Sequence, residues 1–220
     1  MGDEFAQFEL IGGVIEDKMT VRNFLERLPV ITLSKKHSAY LIFAMSALMW
    51  LTRGHHMASL AYLPDASWAI FFAVGFYFSS IGVVALFLAQ AFLIDYLVVN
   101  QLGVGQSCFT LAYAFLLPAY LSMWFAGKWL AKRYALNFTA FKNFLFAAVV
   151  GVIVCELISS GSYYVMNVPG QASLTEFAAR MVRFLPFALE ITLAYLVAGL
   201  VAHLVAIAIF QKTHLFQSRK

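Results

Sequence analysis

Long, almost unbroken apolar runs constrain this chain more than any other feature of its sequence. Ile81 to Asn100 and Phe184 to Phe210 are each as long as the ~20 residues a helix needs to cross ~30 Å of hydrocarbon. A water-soluble domain would carry roughly a quarter charged residues, whereas here 62% of residues are hydrophobic and 12% charged. The fold class that follows is all-α, a polytopic membrane protein.

Six apolar spans are predicted, over residues 38–52, 67–79, 81–99, 108–131, 140–162 and 184–210. The formal net charge of +4 does not indicate nucleic acid, because the Lys and Arg residues sit at the ends of the runs and form no basic face. They act as topology signals. With the N-terminus inside, the inner flanks hold Lys35, Lys36, Lys128, Lys132, Arg133, Lys142, Lys212, Arg219 and Lys220, against Arg53, Arg180 and Arg183 outside. Nine against three favours cytoplasmic termini, and a five-span arrangement would blur that asymmetry.

The chain divides into an N-terminal arm (1–37), a six-helix membrane domain (38–212) and a short basic tail (213–220). The arm holds six acids and five bases, with loosely spaced apolar residues that predict an interfacial amphipathic helix interrupted at Gly12 and Gly13. A partner-binding arm is the other reading. Met1 to Glu9 is acidic and no cleavable leader follows, so the first span is expected to serve as its own signal.

In this topology Asp95, Glu156 and Glu190 fall in the outer half of the bilayer, where a charge normally faces a bundle interior or a wet cavity. Arg53, His55, His56, Asp65, Tyr163, Tyr164, Arg180 and Arg183 lie in or beside the outer loops. Together they predict a polar pocket open to the outside. The blander reading lets each acid reach interfacial water from a helix end. Lys128 is expected to snorkel, and His203 to be an interhelical hydrogen-bond partner. Adjacent His55 and His56 point about 100° apart on a helix and share one ion poorly.

Two cysteines lie in different spans without CxxC spacing, so neither a zinc motif nor a disulfide framework is indicated. Cys108 stands at the outer mouth of span four, after Gly103-Val104-Gly105-Gln106-Ser107. A thiolate at a helix N-terminus is favoured by the helix dipole and is a soft metal donor. The alternative is a small buried apolar cysteine, which Cys155 fits better. No HExxH, GxSxG or phosphate-binding glycine loop is present in a suitable context.

Leu63-Pro64-Asp65-Ala66-Ser67-Trp68-Ala69, then Phe71-Phe72 and Gly75-Phe76-Tyr77, carry a family resemblance. Cys108 with Ala112-Tyr113 and Pro118-Ala119-Tyr120 continues it, as does Ile158-Ser159-Ser160-Gly161-Ser162-Tyr163-Tyr164. These stretches resemble the small, solitary S-component-like cobalamin (vitamin B12) transporters of Gram-negative bacteria, related to the substrate-binding subunits of energy-coupling factor transporters. The resemblance implies a six-helix fold in the inner membrane and a corrinoid pocket near the outer face. It also implies one cysteine that coordinates cobalt, for which Cys108 is the match.

Asp65, Trp68, Tyr113 and Tyr163 are the expected pocket residues, because an amide-studded corrinoid suits amphipathic rings and scattered charges. The family also implies a decyanating side activity through that cysteine. No other cofactor is expected. Ala44-Met45-Ser46-Ala47 departs from the Ala-x-x-x-Ala docking pattern of S-components, which argues against docking on a shared energising ATPase module. No ATPase motif occurs in the chain, so energy from ATP would have to come from another protein. Two other classes stay open: a membrane-embedded metal-dependent enzyme or enzyme subunit using His55, His56 and Asp65, and an assembly subunit of a membrane complex.

Overall fold

The computed structural model describes residues 35–53, 63–78, 80–102, 111–134, 138–167 and 173–217. Among these there are six α-helices and one 3₁₀ turn, and no strand. The helices are α1 (Lys35–Arg53), α2 (Ser67–Tyr77), α3 (Ile81–Leu102), α4 (Leu116–Ala131), α5 (Phe138–Asn167) and α6 (Leu174–Gln217). The 3₁₀ turn, Leu111–Phe115, leads directly into α4. Each of the six predicted apolar spans corresponds to one helix. Among the described residues three stretches are long and apolar enough to cross a membrane: Ile81–Asn100, Phe138–Asn167 and Leu174–Ile209.

α2 forms the centre. An 11-residue helix rises only about 17 Å, and Ser67, Ala69, Ile70, Phe71, Phe72, Val74 and Gly75 are all buried. Burial on every side explains why it is apolar all round. It meets α4 at backbone contact. A Cβ at Gly75 would run into the carbonyl of Trp124, and one at Gly127 into the carbonyl of Phe72. Glycine at both positions is therefore what lets these two helices touch. α4 then packs on α5, where Gly151 faces Met123 and Ala126.

The outside of the bundle is greasy. Phe43, Phe125, Phe146, Phe187 and Val201 are all more than half exposed. So many large apolar side chains exposed at once are unfavourable in water and natural in lipid. α3 hangs on α1 through a polar clasp in which Ser46 Oγ donates to Gln90 Oε1 (2.7 Å) and Gln90 Nε2 donates to the Ser46 carbonyl (2.9 Å).

α6 is peripheral and long, at 44 residues or roughly 66 Å. Thr192, Leu196, His203 and Ile207 are buried along one stripe at helical spacing. The helix begins at Leu174, ten residues ahead of the predicted span, because Glu176 and Arg180 pair one turn apart (2.9 Å) and sustain a polar first stretch that hydropathy alone passes over. Pro186 lies inside it. Residues 1–34 of the expected N-terminal arm lie outside the described residues, while Lys35 to His37 form the start of α1.

Candidate functional site

Arg53, the last residue of α1, organises one end of the bundle. Its Nε donates to Asp95 Oδ1 (2.7 Å) and its Nη2 to Asp95 Oδ2 (2.6 Å), a two-pronged pairing that ties α1 to α3. Nη1 faces Tyr120 Oη (2.6 Å) on α4, Ser67 Oγ (2.9 Å) on α2 and Asp65 Oδ2 (3.2 Å) just before α2. A guanidinium has five N–H donors in a rigid fork, so one side chain can hold all these elements. The Arg53 side chain is only 9% exposed, against 21% for Asp95 and 38% for Asp65.

Around this hub every neighbour is itself held. Tyr113 Oη, in the 3₁₀ turn, donates to Asp95 Oδ2 (2.8 Å). Asp65 Oδ1 accepts the N–H (2.9 Å) and the hydroxyl (2.6 Å) of Ser67, a local turn that sets the start of α2. Thr52 Oγ1 accepts the Ala66 N–H (3.2 Å). The Tyr120 ring stacks on Phe71 with centroids 4.5 Å apart. The cluster thus holds two carboxylates to one guanidinium, with Asp65 its most exposed member.

A second feature lies between α5 and α6. A cavity of about 350 Å³ is lined by Glu156, Ser159, Ser160 and Tyr163 from one helix and by Phe177 and Arg180 from the other. Glu156 is 7% exposed and accepts a hydrogen bond from Ser160 Oγ (2.6 Å).

At the far end of α2, His203 is held by two tyrosines. Tyr77 Oη lies 2.8 Å from Nδ1 and Tyr134 Oη 2.8 Å from Nε2. A neutral imidazole offers one donor and one acceptor, so one hydroxyl donates and the other accepts. Burial pushes the Tyr134 hydroxyl up from its ordinary value, keeping it protonated. His203 is an interhelical hydrogen-bond partner, as its position in span six predicts.

The expected site residues divide. Asp65 and Tyr113 join the Arg53 network. Trp68 is half-buried against the core, and Tyr163, 56% exposed, lines the α5–α6 cavity instead. Cys108, His55 and His56 lie outside the described residues. Cys155 is fully buried, the apolar cysteine its neighbours imply. The three carboxylates expected at one depth have separate settings: Asp95 in the hub, Glu156 in the cavity, and Glu190 exposed on the side of α6. Lys128 Nζ rests 4.5 Å from the Trp124 ring centroid, a cation–π contact.

Arg53 reads from sequence as an outer-flank charge and one of the residues of the predicted outward pocket, with nothing local to mark it as the hub. The signal for its role is an opposite charge at matching depth: Asp95 near the end of span three. Among the described residues no group of three His, Cys, Asp or Glu side chains is arranged to hold a metal ion. Fold and site define a class, an all-helical membrane protein with a charged network closing one end. Comparison with protein-family models and with curated proteins returned no match for this chain.

Proposed function

We propose that this chain is a six-pass protein of the bacterial inner membrane, with both termini cytoplasmic, that binds a cobalt corrinoid from the outer side and carries it inward. The fold reading is that of the solitary S-component-like cobalamin transporters. The observation that supports it best is the meeting of Asp65 and Tyr113 with Arg53 and Asp95. Two residues singled out for a corrinoid pocket, far apart in sequence, share one network. α3 and the 3₁₀ turn, both in that network, are joined by residues 103–110, which carry Cys108.

In this reading Cys108 donates sulfur to cobalt. Asp65 and Tyr113, positioned by the Arg53 network, offer polar groups to the amide arms, and Trp68 supplies ring surface; Tyr163, expected to do the same, lines the other cavity. A macrocycle larger than the 350 Å³ cavity rests against the Arg53 end rather than inside the bundle. Six passes also require the short α2 to complete a crossing within protein. Its flanks support that: the Pro64 carbonyl accepts from Tyr195 Oη (2.7 Å), the Ala66 N–H is bonded to Thr52, and the Phe78 N–H to the Val74 carbonyl (2.8 Å). Irregular backbone is tolerated at membrane depth where such partners exist.

The test is direct titration of the purified protein with cobalamin. Saturable binding is expected, with a red chromophore retained after growth on the vitamin. Cys108→Ala should weaken binding at least about tenfold, or ~1.4 kcal/mol, and shift the cobalt absorption bands. Absence of binding, or a thiol at Cys108 that outside reagents cannot reach in intact cells, would remove the proposal.

A further inference from the structure

We infer that the α5–α6 cavity is a separate binding site for a small ammonium cation, primary or quaternary, carrying a short apolar body. The inference does not depend on corrinoid binding. No residue of the Arg53 network lines this cavity, and at about 350 Å³ it sits at the small end of the range for ligand pockets.

The charge of the site comes from Glu156. It is more than nine-tenths buried within a helix apolar enough to cross the membrane, and its one described partner is the Ser160 hydroxyl on Oε1. A carboxylate so placed calls for a counter-cation. Arg180 also lines the cavity, but its described bonds go to another acid: its Nε and Nη2 donate to Glu176 Oε1 at 3.2 and 2.9 Å, and none reaches Glu156. Among the described residues no cationic side chain is paired with Glu156.

The walls select the kind of cation. Two neighbouring rings already carry a guanidinium, Arg180 at 5.3 Å from the Tyr164 centroid and Arg183 at 5.6 Å from that of Phe184. Tyr163 and Phe177 add further ring surface to the lining. Aromatic faces with a carboxylate floor suit a weakly hydrated ammonium better than a metal ion, which would need several hard oxygen ligands. The corner is built to hold shape: Tyr164 Oη accepts the Ser173 N–H (3.0 Å) and lies 3.1 Å from Glu176 Oε2, fixing the start of α6 against α5.

The experiment titrates the full-length protein in micelles with three probes of one shape: choline, its neutral isostere 3,3-dimethylbutanol, and the anion 3,3-dimethylbutanoate. Choline should bind saturably and at least about tenfold more tightly than either of the others, and Glu156→Gln should abolish that preference. Ser160→Ala keeps the carboxylate and should retain it. Equal binding of all three probes, no saturable choline binding, or an unchanged preference in Glu156→Gln overturns the inference. The three-probe comparison on the unaltered protein decides even where a variant fails to fold. Repeating it in nanodiscs with and without phosphatidylethanolamine separates the sources, since competition assigns the ammonium to a lipid headgroup and its absence to a free amine; either result requires the cation site.

Discussion

At one end of the bundle a single guanidinium gathers Asp95, Asp65, Ser67 and Tyr120; at the other, an imidazole sits between two phenol hydroxyls. Both satisfy polar groups that lipid cannot hydrate, and α2 takes part in each, through Ser67 and Tyr77. They differ in what is lost when one member is removed. Deleting one partner of a buried ion pair leaves an uncompensated charge, at a cost of roughly 3–5 kcal/mol. Deleting one side of a neutral hydrogen bond costs about 1–3 kcal/mol, the desolvation of the group left behind. The charged end is therefore the fragile one, and also the one with a carboxylate, Asp65, left partly open to a ligand.

That contrast can be broken. Arg53→Ala should give the largest effect, a loss of roughly 3–5 kcal/mol read from denaturant unfolding in micelles, because Asp95 loses both prongs at once. Arg53→Lys should fall between, keeping the charge and losing the fork. An unfolding midpoint for Arg53→Ala equal to the unaltered protein's would show that the two ends do not differ in this way.

Gly127→Ala comes next and asks whether the ends are independent. The new methyl meets the Phe72 backbone, which cannot step aside, so α2 and α4 must separate at a cost of about 1–3 kcal/mol. Because these helices reach both clusters, crosslinking between cysteine pairs placed at each end should change together. The smallest effect belongs to His203→Phe, which keeps a ring beside Phe76 and deletes both hydroxyl partners. A loss of about 1–2 kcal/mol is expected in the same unfolding assay. A loss as large as that of Arg53→Ala would erase the distinction.

The helices were legible because hydropathy reports burial in lipid or protein without needing to know the partners. It fails at α6, where Glu176 and Arg180 satisfy each other and extend the helix through residues that look like a loop. The site was legible in part. Asp65 and Tyr113 stand out as polar residues beside apolar runs, yet nothing local in Arg53 separates a topology charge from a buried hub. Depth along a span can be read from a sequence; direction around the helix axis is much harder when the outside is as apolar as the inside. That is why Asp95, Glu156 and Glu190 were expected together and have three different surroundings.

The proline at position 186 carries one more implication. Its missing N–H leaves the Val182 carbonyl without its usual bond, so α6 bends more cheaply there than anywhere else along its length. Every side chain that α6 contributes to the Glu156 cavity, from Phe177 through Arg180 and Met181 to Phe184, precedes that joint, and Thr192, Leu196 and His203, which seat the helix on the bundle, follow it. The segment that lines the cavity and the segment that seats the helix thus lie on opposite sides of a softened point, and the first is held to α5 by the bonds of Tyr164 to Ser173 and Glu176 rather than by the stripe that holds the second.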